Sequence, residues 1–257
     1  MYRQKLCGYA LLTNYSQFLS PIIKVIVGNP ECDAHDAPQF KIFHAHKDTL
    51  VSNSPFFAKA LSNYEPDRPN TLAAWAEAET GVIKLPEDTP EVFANYLELV
   101  YRGTVPSFKA PDRANLEKDA YTSEFESGIR ELQKSLCRLC VFAEKVQDIA
   151  AKRLLLVGLV DSTLLKNNDG TRYLPVYPEH VNTIYNGTPS SDPIREFLTG
   201  CHVSFGREGW PKVSLYHPEF LDDILTGIWR LRPQPPKEVR ANVRVASVYV
   251  QKLKDHK

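Results

Sequence analysis

The order of short β-branched runs and helix signals constrains the fold of this chain most strongly. Residues 22–28 (IIKVIVG) form a β-branched run that ends in a glycine and an Asn-Pro pair, which predicts a strand and a turn. The run FKIFHA at 40–45 alternates, with Ile42 among its apolar positions, and predicts an antiparallel partner strand. The run VIKL after a Thr-Gly pair predicts a third strand at residues 82–85.

Two predicted helices begin with a hydroxyl residue followed by proline. Ser54-Pro55 precedes FFAKAL, and Thr89-Pro90 precedes EVFANYLELVY, which Gly103 ends. The segment at 104–130 is polar and is interpreted as an irregular, exposed insertion. Further helices are predicted at 47–52, 131–146, 149–165, 192–202 and 215–231, with a terminal helix at 237–257. These elements, in this order, predict a compact α+β arrangement.

Charge and cysteine content restrict the classes of function. The chain has 257 residues, with 31 Lys and Arg against 31 Asp and Glu, so no global attraction to nucleic acid or anionic membrane is expected. Its five cysteines are odd in number and scattered, which disfavours a secreted disulfide framework. No apolar run is long enough to span a membrane, and the first residues lack a signal-peptide pattern. We therefore expect a protein of the cytoplasm or nucleus that is not secreted.

Several spaced motifs carry a likeness to one family. The runs FHAHKDTLVSNSPFFAKAL (43–61) and WAEAETGVIKLPEDTPEVFANYLELVYRGTV (75–105) resemble a BTB/POZ domain, of the type abundant in filamentous fungi. The matching residues are His46-Lys47 at the strand-to-helix step, the Ser-x-Phe-Phe pattern, the proline-capped helix and the Tyr-x-Gly ending at Tyr101 and Gly103. The run LCRLCVFAEKVQDIAAKRLLLVGLV (136–160) resembles the next helix pair, with its Ala-Glu-Lys ending and Asp-containing turn.

The resemblance implies a domain organisation. We expect an N-terminal segment at 1–19, a BTB/POZ domain at 20–165 with insertions near 62–74 and 104–130, and a mostly helical extension at 166–257. The BTB/POZ fold is a small sheet of three or more strands capped by a helical cluster. The family's first strand starts with a Ser-Asp pair, whereas this chain has Ser20-Pro21-Ile22 and no carboxylate, which puts family-style homodimerisation in doubt.

Histidines and cysteines offer a competing chemical interpretation. Thiolate and neutral imidazole suit Zn²⁺, and the candidate ligands are Cys32, His35, His44 and His46. The family resemblance instead implies a structural role for His46, whose ring is expected to satisfy backbone groups at the strand–helix junction. The Cys137-x-x-Cys140 pair lies in an apolar helical run with no second such pair, so buried, inert cysteines are expected. Neither a G-x-S-x-G motif nor a glycine-rich phosphate loop is present.

The resemblance implies a non-catalytic protein-interaction module, with no cofactor, metal or small-molecule substrate. From the family's first two helices, the expected self-association residues are Leu50, Val51, Phe57 and Lys59. The expected partner-facing residues, on the helix after the third strand, are Glu91, Asn95, Glu98 and Arg102.

Two functional classes remain open. One is an adaptor that links a client to a cullin-type ubiquitin ligase. The other is a homo-oligomerising scaffold of a nuclear or transcription-related complex, whose basic end at 237–257, with six Lys and Arg against two acids, touches an acidic partner. Nucleic acid is not the expected partner of that end, since no DNA-binding motif accompanies it. A metal-binding or enzymatic protein that uses the four candidate ligands is a distant third.

Overall fold

The computed structural model describes residues 19–29, 40–62, 64–65, 76–111, 117–165, 177–205 and 211–231. Several predicted features lie outside these residues: the N-terminal segment up to residue 18, the loop with Cys32 and His35, most of the insertion near 62–74 and the terminal helix at 237–257.

A three-stranded mixed sheet lies at one end of the described chain, in the order β2-β1-β3. The central strand β1 (Ile22–Val27) is antiparallel to β2 (Lys41–His46) and parallel to β3 (Val82–Leu85). The inner residues of β1 alternate with half-buried or exposed ones, as expected for a sheet with one covered face. The predicted strands are confirmed.

The residues that β2 turns to the core are set by its register. Ile42, one of the apolar residues in the predicted alternation, is 46% exposed. Ala45 is buried and Phe43 packs against the core instead. The register explains the difference, because Phe43 lies opposite Val25 and Ala45 opposite Ile23, both of which are buried.

Helices make up most of the rest of the described chain. Their bounds are α1 Lys47–Asn53, α2 Pro55–Ala60, α3 Ala76–Thr80, α4 Pro90–Arg102, α5 Lys118–Lys145, α6 Ile149–Leu164, α7 Pro178–Gly187, α8 Pro193–Phe205 and α9 Pro218–Leu231, with a 3₁₀ turn at Val213–Leu215. Ser54 caps α2 by accepting a hydrogen bond from the Phe57 amide. Gly103 ends α4 with a positive φ of 65°, which glycine adopts without strain.

An aromatic cluster joins the sheet to the helices. Phe93 and Tyr96 of α4 lie at its centre and are fully buried. The ring centroid of Phe93 is 5.0 Å from that of Phe43 on β2, and the centroid of Tyr96 is 5.0 Å from that of Phe142 on α5. Edge-to-face contacts of this kind add to the stabilisation from area burial. The cluster therefore fixes α4 and α5 against the sheet.

The long helix α5 corrects the prediction for 104–130. It begins at Lys118 rather than at 131, so the second half of the supposed irregular insertion is helical. Its first turns carry Tyr121, Phe125 and Ile129 at intervals of four residues. These side chains form a second small core with Phe108, which lies in the segment just before the helix, and with Leu165, which follows α6. The first turns of α5 therefore bury apolar side chains, although the polar composition of 104–130 had predicted an exposed segment.

The helix α7 was not predicted. Its apolar residues Val181, Ile184 and Tyr185 are buried, and the helix packs against α5. Gly187 permits this close approach, because a Cβ there would lie 2.4 Å from a Val141 methyl carbon. One continuous core runs from the sheet through α5 to α7, α8 and α9. The described part of the extension is therefore packed on the preceding domain.

Candidate protein-interaction surfaces

The strand–helix junction is held by a histidine–tyrosine pair. The backbone N–H of His46 donates to the Tyr101 hydroxyl at 2.8 Å, and the His46 Nδ1 lies 2.9 Å from the same oxygen. The ring was expected to satisfy backbone groups, which stays a prediction, and the structure adds a bond from the ring to the Tyr101 side chain. A hydroxyl can accept one bond and donate another, which allows it to satisfy both groups. His46 is thus tied to the end of α4.

The metal interpretation gains no support from the described residues. His44 is exposed on β2, while Cys32 and His35 lie outside the described chain. Within the described ranges, no group of three or more His, Cys, Asp or Glu is placed to hold a metal ion.

The cysteines of α5 have the inert environment that the sequence predicts. Cys137 and Cys140 are both buried, which confirms the prediction. Burial raises the pKa of the Cys137 thiol, and burial with the nearby Asp192 raises the pKa of Cys140 to about 12. Both thiols are therefore protonated near neutral pH and poor nucleophiles.

A polar junction sets the direction of α6. The Asp148 carboxylate caps α6 by accepting from the Ala151 N–H at 2.8 Å, and its second oxygen accepts from the Tyr96 hydroxyl at 3.0 Å. Close by, the Ser54 hydroxyl donates to the Val146 carbonyl oxygen at 2.5 Å. Burial, followed by the Asp148 charge, raises the pKa of Tyr96. These bonds connect α2, α4 and the α5–α6 turn, and so fix where α6 lies.

An exposed apolar stripe runs along α6. Leu154 is 44% exposed, Val157 58% and Leu164 52%, while the opposite side of the helix buries Leu155 and Leu159. The helix contacts α1, on which Val51 is half-buried. We call Val51, Leu154, Val157 and Leu164 the α1–α6 face.

The predicted self-association residues divide into two groups. Leu50 and Phe57 are fully buried in the core, so they present no side-chain surface and are removed from the candidate interface. Val51 is half-buried and Lys59 is exposed, so both keep accessible surface.

Sequence reasoning missed the apolar residues of α6. The available signal was the run LLLVGLV, which is apolar on every side of a helix. Such a helix is normally buried all round, so exposure of one side indicates a further contact.

The four predicted partner-facing residues lie on one side of α4. Glu91, Asn95, Glu98 and Arg102 recur at helical spacing, and three of them are exposed. Glu98 and Arg102 form an exposed ion pair with a nitrogen–oxygen distance of 3.2 Å. The Asn95 side-chain amide donates to the Ser135 hydroxyl at 3.5 Å. We call these four residues the α4 face.

A groove of about 210 Å³ lies where the extension meets α6. Its apolar lining comes from α5, α6 and the start of α8, and its polar edge includes Lys152 and Asp192, whose charged atoms lie 2.6 Å apart. We call it the junction groove; its apolar residues are Cys140, Ile149, Leu156, Pro193 and Ile194.

A buried arginine fixes the extension helices to one another. The Arg195 guanidinium donates to the Tyr185 carbonyl at 2.7 Å and to Glu219 at 2.6 Å, and it also bonds to the Thr188 carbonyl. It lies 4.4 Å from the centre of the Tyr185 ring. Its planar guanidinium thereby joins α7, α8 and α9.

Comparison with known proteins agrees with this architecture. Residues 31–138 match the family model described as the BTB/POZ domain. Among curated proteins, no match to the chain is found. Within the described ranges, no helix combines the length and apolarity needed to cross a membrane.

Proposed function

Since the chain contains a BTB/POZ domain, a protein–protein interaction module, we propose that it self-associates through the α1–α6 face and recruits a second protein through its other surfaces. The observation that carries this proposal is the exposure of Leu154, Val157 and Leu164 on a helix whose other side lies in the core. No residue of the described chain is proposed as catalytic.

Physical chemistry favours burial of this face against a copy of itself. Each Leu or Val moved from water into an interface contributes roughly 1 to 2 kcal/mol before the costs of association. A two-fold interface uses the same patch on both copies, so the same exposed side chains are buried on each of the two chains. Lys59, which is exposed, would lie at its rim, whereas Asp161, exposed between Val157 and Leu164 on the same side of α6, would need a polar partner or water within the interface.

The start of β1 supports self-association despite the missing carboxylate. The Ser20 hydroxyl accepts a hydrogen bond from the Asp48 N–H at 3.1 Å, and the Pro21 carbonyl accepts one from the Lys47 N–H at 2.8 Å. These bonds tie the strand start to α1 without an aspartate. Ile22 is 58% exposed there and adds apolar surface beside the first helix.

Co-purification of two differently tagged full-length copies tests the proposed surface. Val157→Asp should abolish co-purification, because the carboxylate would have to be buried at the interface. Val213→Asp is the matched control, since Val213 is 66% exposed but belongs to the extension. Retained co-purification by Val157→Asp, or equal loss by Val213→Asp, would contradict the proposal.

A second candidate function is that of an adaptor to a cullin-type ubiquitin ligase. The α4 face supplies a polar, charged surface on the BTB domain, and the junction groove supplies an apolar slot formed with the extension. A cullin N-terminal domain is the occupant proposed for both. The rigid extension would then hold the client, which is a further proposal.

Gel filtration of the full chain with a cullin N-terminal domain tests this candidate. A stoichiometric complex is expected, and Glu98→Lys should weaken it by reversing a charge and repelling Arg102. Glu124→Lys is the control, because Glu124 is exposed in the first turns of α5 and belongs neither to the α4 face nor to the junction groove. Without complex formation by the unmodified protein, the adaptor function is wrong and self-association alone remains.

A nuclear or transcription-related scaffold is the remaining alternative. It differs from the adaptor in its partner, whose acidic groups the basic segment 237–257 would contact. That segment lies outside the described residues, so this alternative rests on charge alone.

A further inference from the structure

One flank of α9 exposes apolar side chains that the described chain does not cover. Leu225 is 48% exposed, Ile228 44% and Trp229 68%. The neighbouring flank is in the core, where Phe220 is fully buried and Gly227 approaches Val203 of α8. A tryptophan exposed to this extent beside two aliphatic residues marks a contact surface rather than scattered surface apolarity.

The chain itself continues from this flank. Residues 232–257 follow directly on Leu231 and lie outside the described residues, so their sequence alone bears on what they bind. The run Pro233-Gln234-Pro235-Pro236 stops the helix, after which 237–257 can return along α9. This segment has apolar residues at alternating intervals of four and three, the spacing of one helix side: Val239, Val243, Ala246, Val250 and Leu253.

The apolar residues of α9 have the same spacing. Leu221, Leu225 and Ile228 are also separated by four and three residues. Two apolar stripes with this repeat can pack side by side along their lengths. Because the connection contains only 232–236, an antiparallel arrangement is the natural one.

Charge is complementary between the two segments. On the exposed flank of α9, Asp222 is exposed on the same helix side as Leu225 and Trp229, whereas Glu219 and Asp223 are already bonded to Arg195 and to the Tyr185 hydroxyl. Residues 237–257 carry six Lys and Arg against two Asp and Glu, and Lys252, Lys254 and Lys257 are near their end. In an antiparallel arrangement this basic end lies near Asp222 in the first half of α9.

We propose that residues 237–257 dock on the exposed flank of α9, with Val243 and Val250 against Leu225, Ile228 and Trp229. The occupant is the chain's own C-terminal segment, which is present at high effective concentration because its tether is short. This proposal uses residues distinct from the α1–α6 face, so either proposal can fail without the other.

Trp229 provides the measurement. The chain has three tryptophans, so Trp75→Phe and Trp210→Phe in the full-length protein leave Trp229 as the only one. Its emission wavelength and its quenching by acrylamide then report whether its ring is covered. Val243→Asp with Val250→Asp places charges on the proposed stripe, whereas Val245→Asp with Val248→Asp adds the same charges off it.

The expected result is weak quenching of Trp229 with the unmodified tail and with the off-stripe pair. The stripe pair should raise quenching several-fold and shift emission to longer wavelength, with an unchanged melting temperature of the folded core. These values should not change on dilution, because docking is within one chain. Strong quenching with the unmodified tail, equal effects of the two pairs, or a dependence on protein concentration that indicates a second copy's tail would each overturn the proposal.

Discussion

Asp148 shows how one side chain determines the position of a whole surface. Asp148 is 1% exposed, and its carboxylate caps α6 and accepts a hydrogen bond from the Tyr96 hydroxyl. The α1–α6 face depends on where α6 begins, so this carboxylate positions it indirectly. The sequence signal, an Asp-containing turn after Ala-Glu-Lys, indicated the turn, but its bond to Tyr96 spans 52 residues and required the fold.

We expect Asp148→Ala to destabilise the protein by about 3 kcal/mol, because it removes a helix cap and leaves a buried hydroxyl unpaired. Tyr96→Phe in the same chain should recover part of this loss by removing that hydroxyl. Urea denaturation of the two single variants and the double variant measures the coupling. Glu124→Ala, at an exposed site on α5, is the control, and purely additive effects would show that the two groups do not interact.

His180 on α7 predicts a pH dependence of stability. Its ring is 1% exposed, and neither nitrogen has a hydrogen-bond partner among the described residues. Burial lowers its pKa from 6.5 to about 4, with Glu179 opposing and Arg130 reinforcing the effect. The folded state therefore binds this proton less readily than the unfolded state, so the associated stability is present above pH 6.5 and is lost as the pH falls towards 4.

Between pH 7.5 and pH 5 the loss attributable to His180 should be about 2 kcal/mol in the free energy of unfolding. His180→Leu should remove this part of the pH dependence and retain the part due to His202, whose pKa burial also lowers. Urea denaturation at the two pH values measures the difference. An identical pH dependence in both proteins would show that His180 does not bind protons differently on unfolding.

At the scale of elements, local signals predicted more than long-range packing did. Ser54-Pro55 and Gly103 mark helix ends through their own backbone chemistry, and both predictions are confirmed. The first turns of α5 were missed because Phe125 is buried by Phe108 and Leu165, which only the fold brings near. Exposure on α6 was missed for the same reason, since burial of Leu155 and exposure of Leu154 depend on neighbours outside the helix.

Arg195 is a buried polar link among the extension helices, and Arg195→Met should loosen their packing. The substitution leaves the carbonyls of Tyr185 and Thr188 without their donor, and we expect a loss of about 3 kcal/mol in stability. In Arg195→Met, amide hydrogen exchange in α8 and α9 should be faster than in the unmodified protein, while exchange in β1 should not change. Arg230→Met, at an exposed position in the last turn of α9, is the control, and unchanged exchange in Arg195→Met would contradict this role.

At the scale of the molecule, the domain and the described part of its extension share one hydrophobic core. This arrangement explains how the junction groove forms, because α6 and α8 both contribute to it. The family resemblance led to the fold and to the α4 face as a set of positions on one helix side. It could not reveal that Leu50 and Phe57 are internal here, because their burial depends on the packing of this particular chain.

Light scattering after gel filtration, over a range of protein concentrations, tests the central claim of self-association most directly. We predict that the unmodified full chain has the mass of a dimer or larger assembly, while Val157→Asp approaches the 29.1 kDa of one chain. Val213→Asp should keep the mass of the unmodified protein. A single-chain mass for the unmodified protein at all concentrations, or an unaltered assembly in Val157→Asp, would contradict the proposed role of the α1–α6 face.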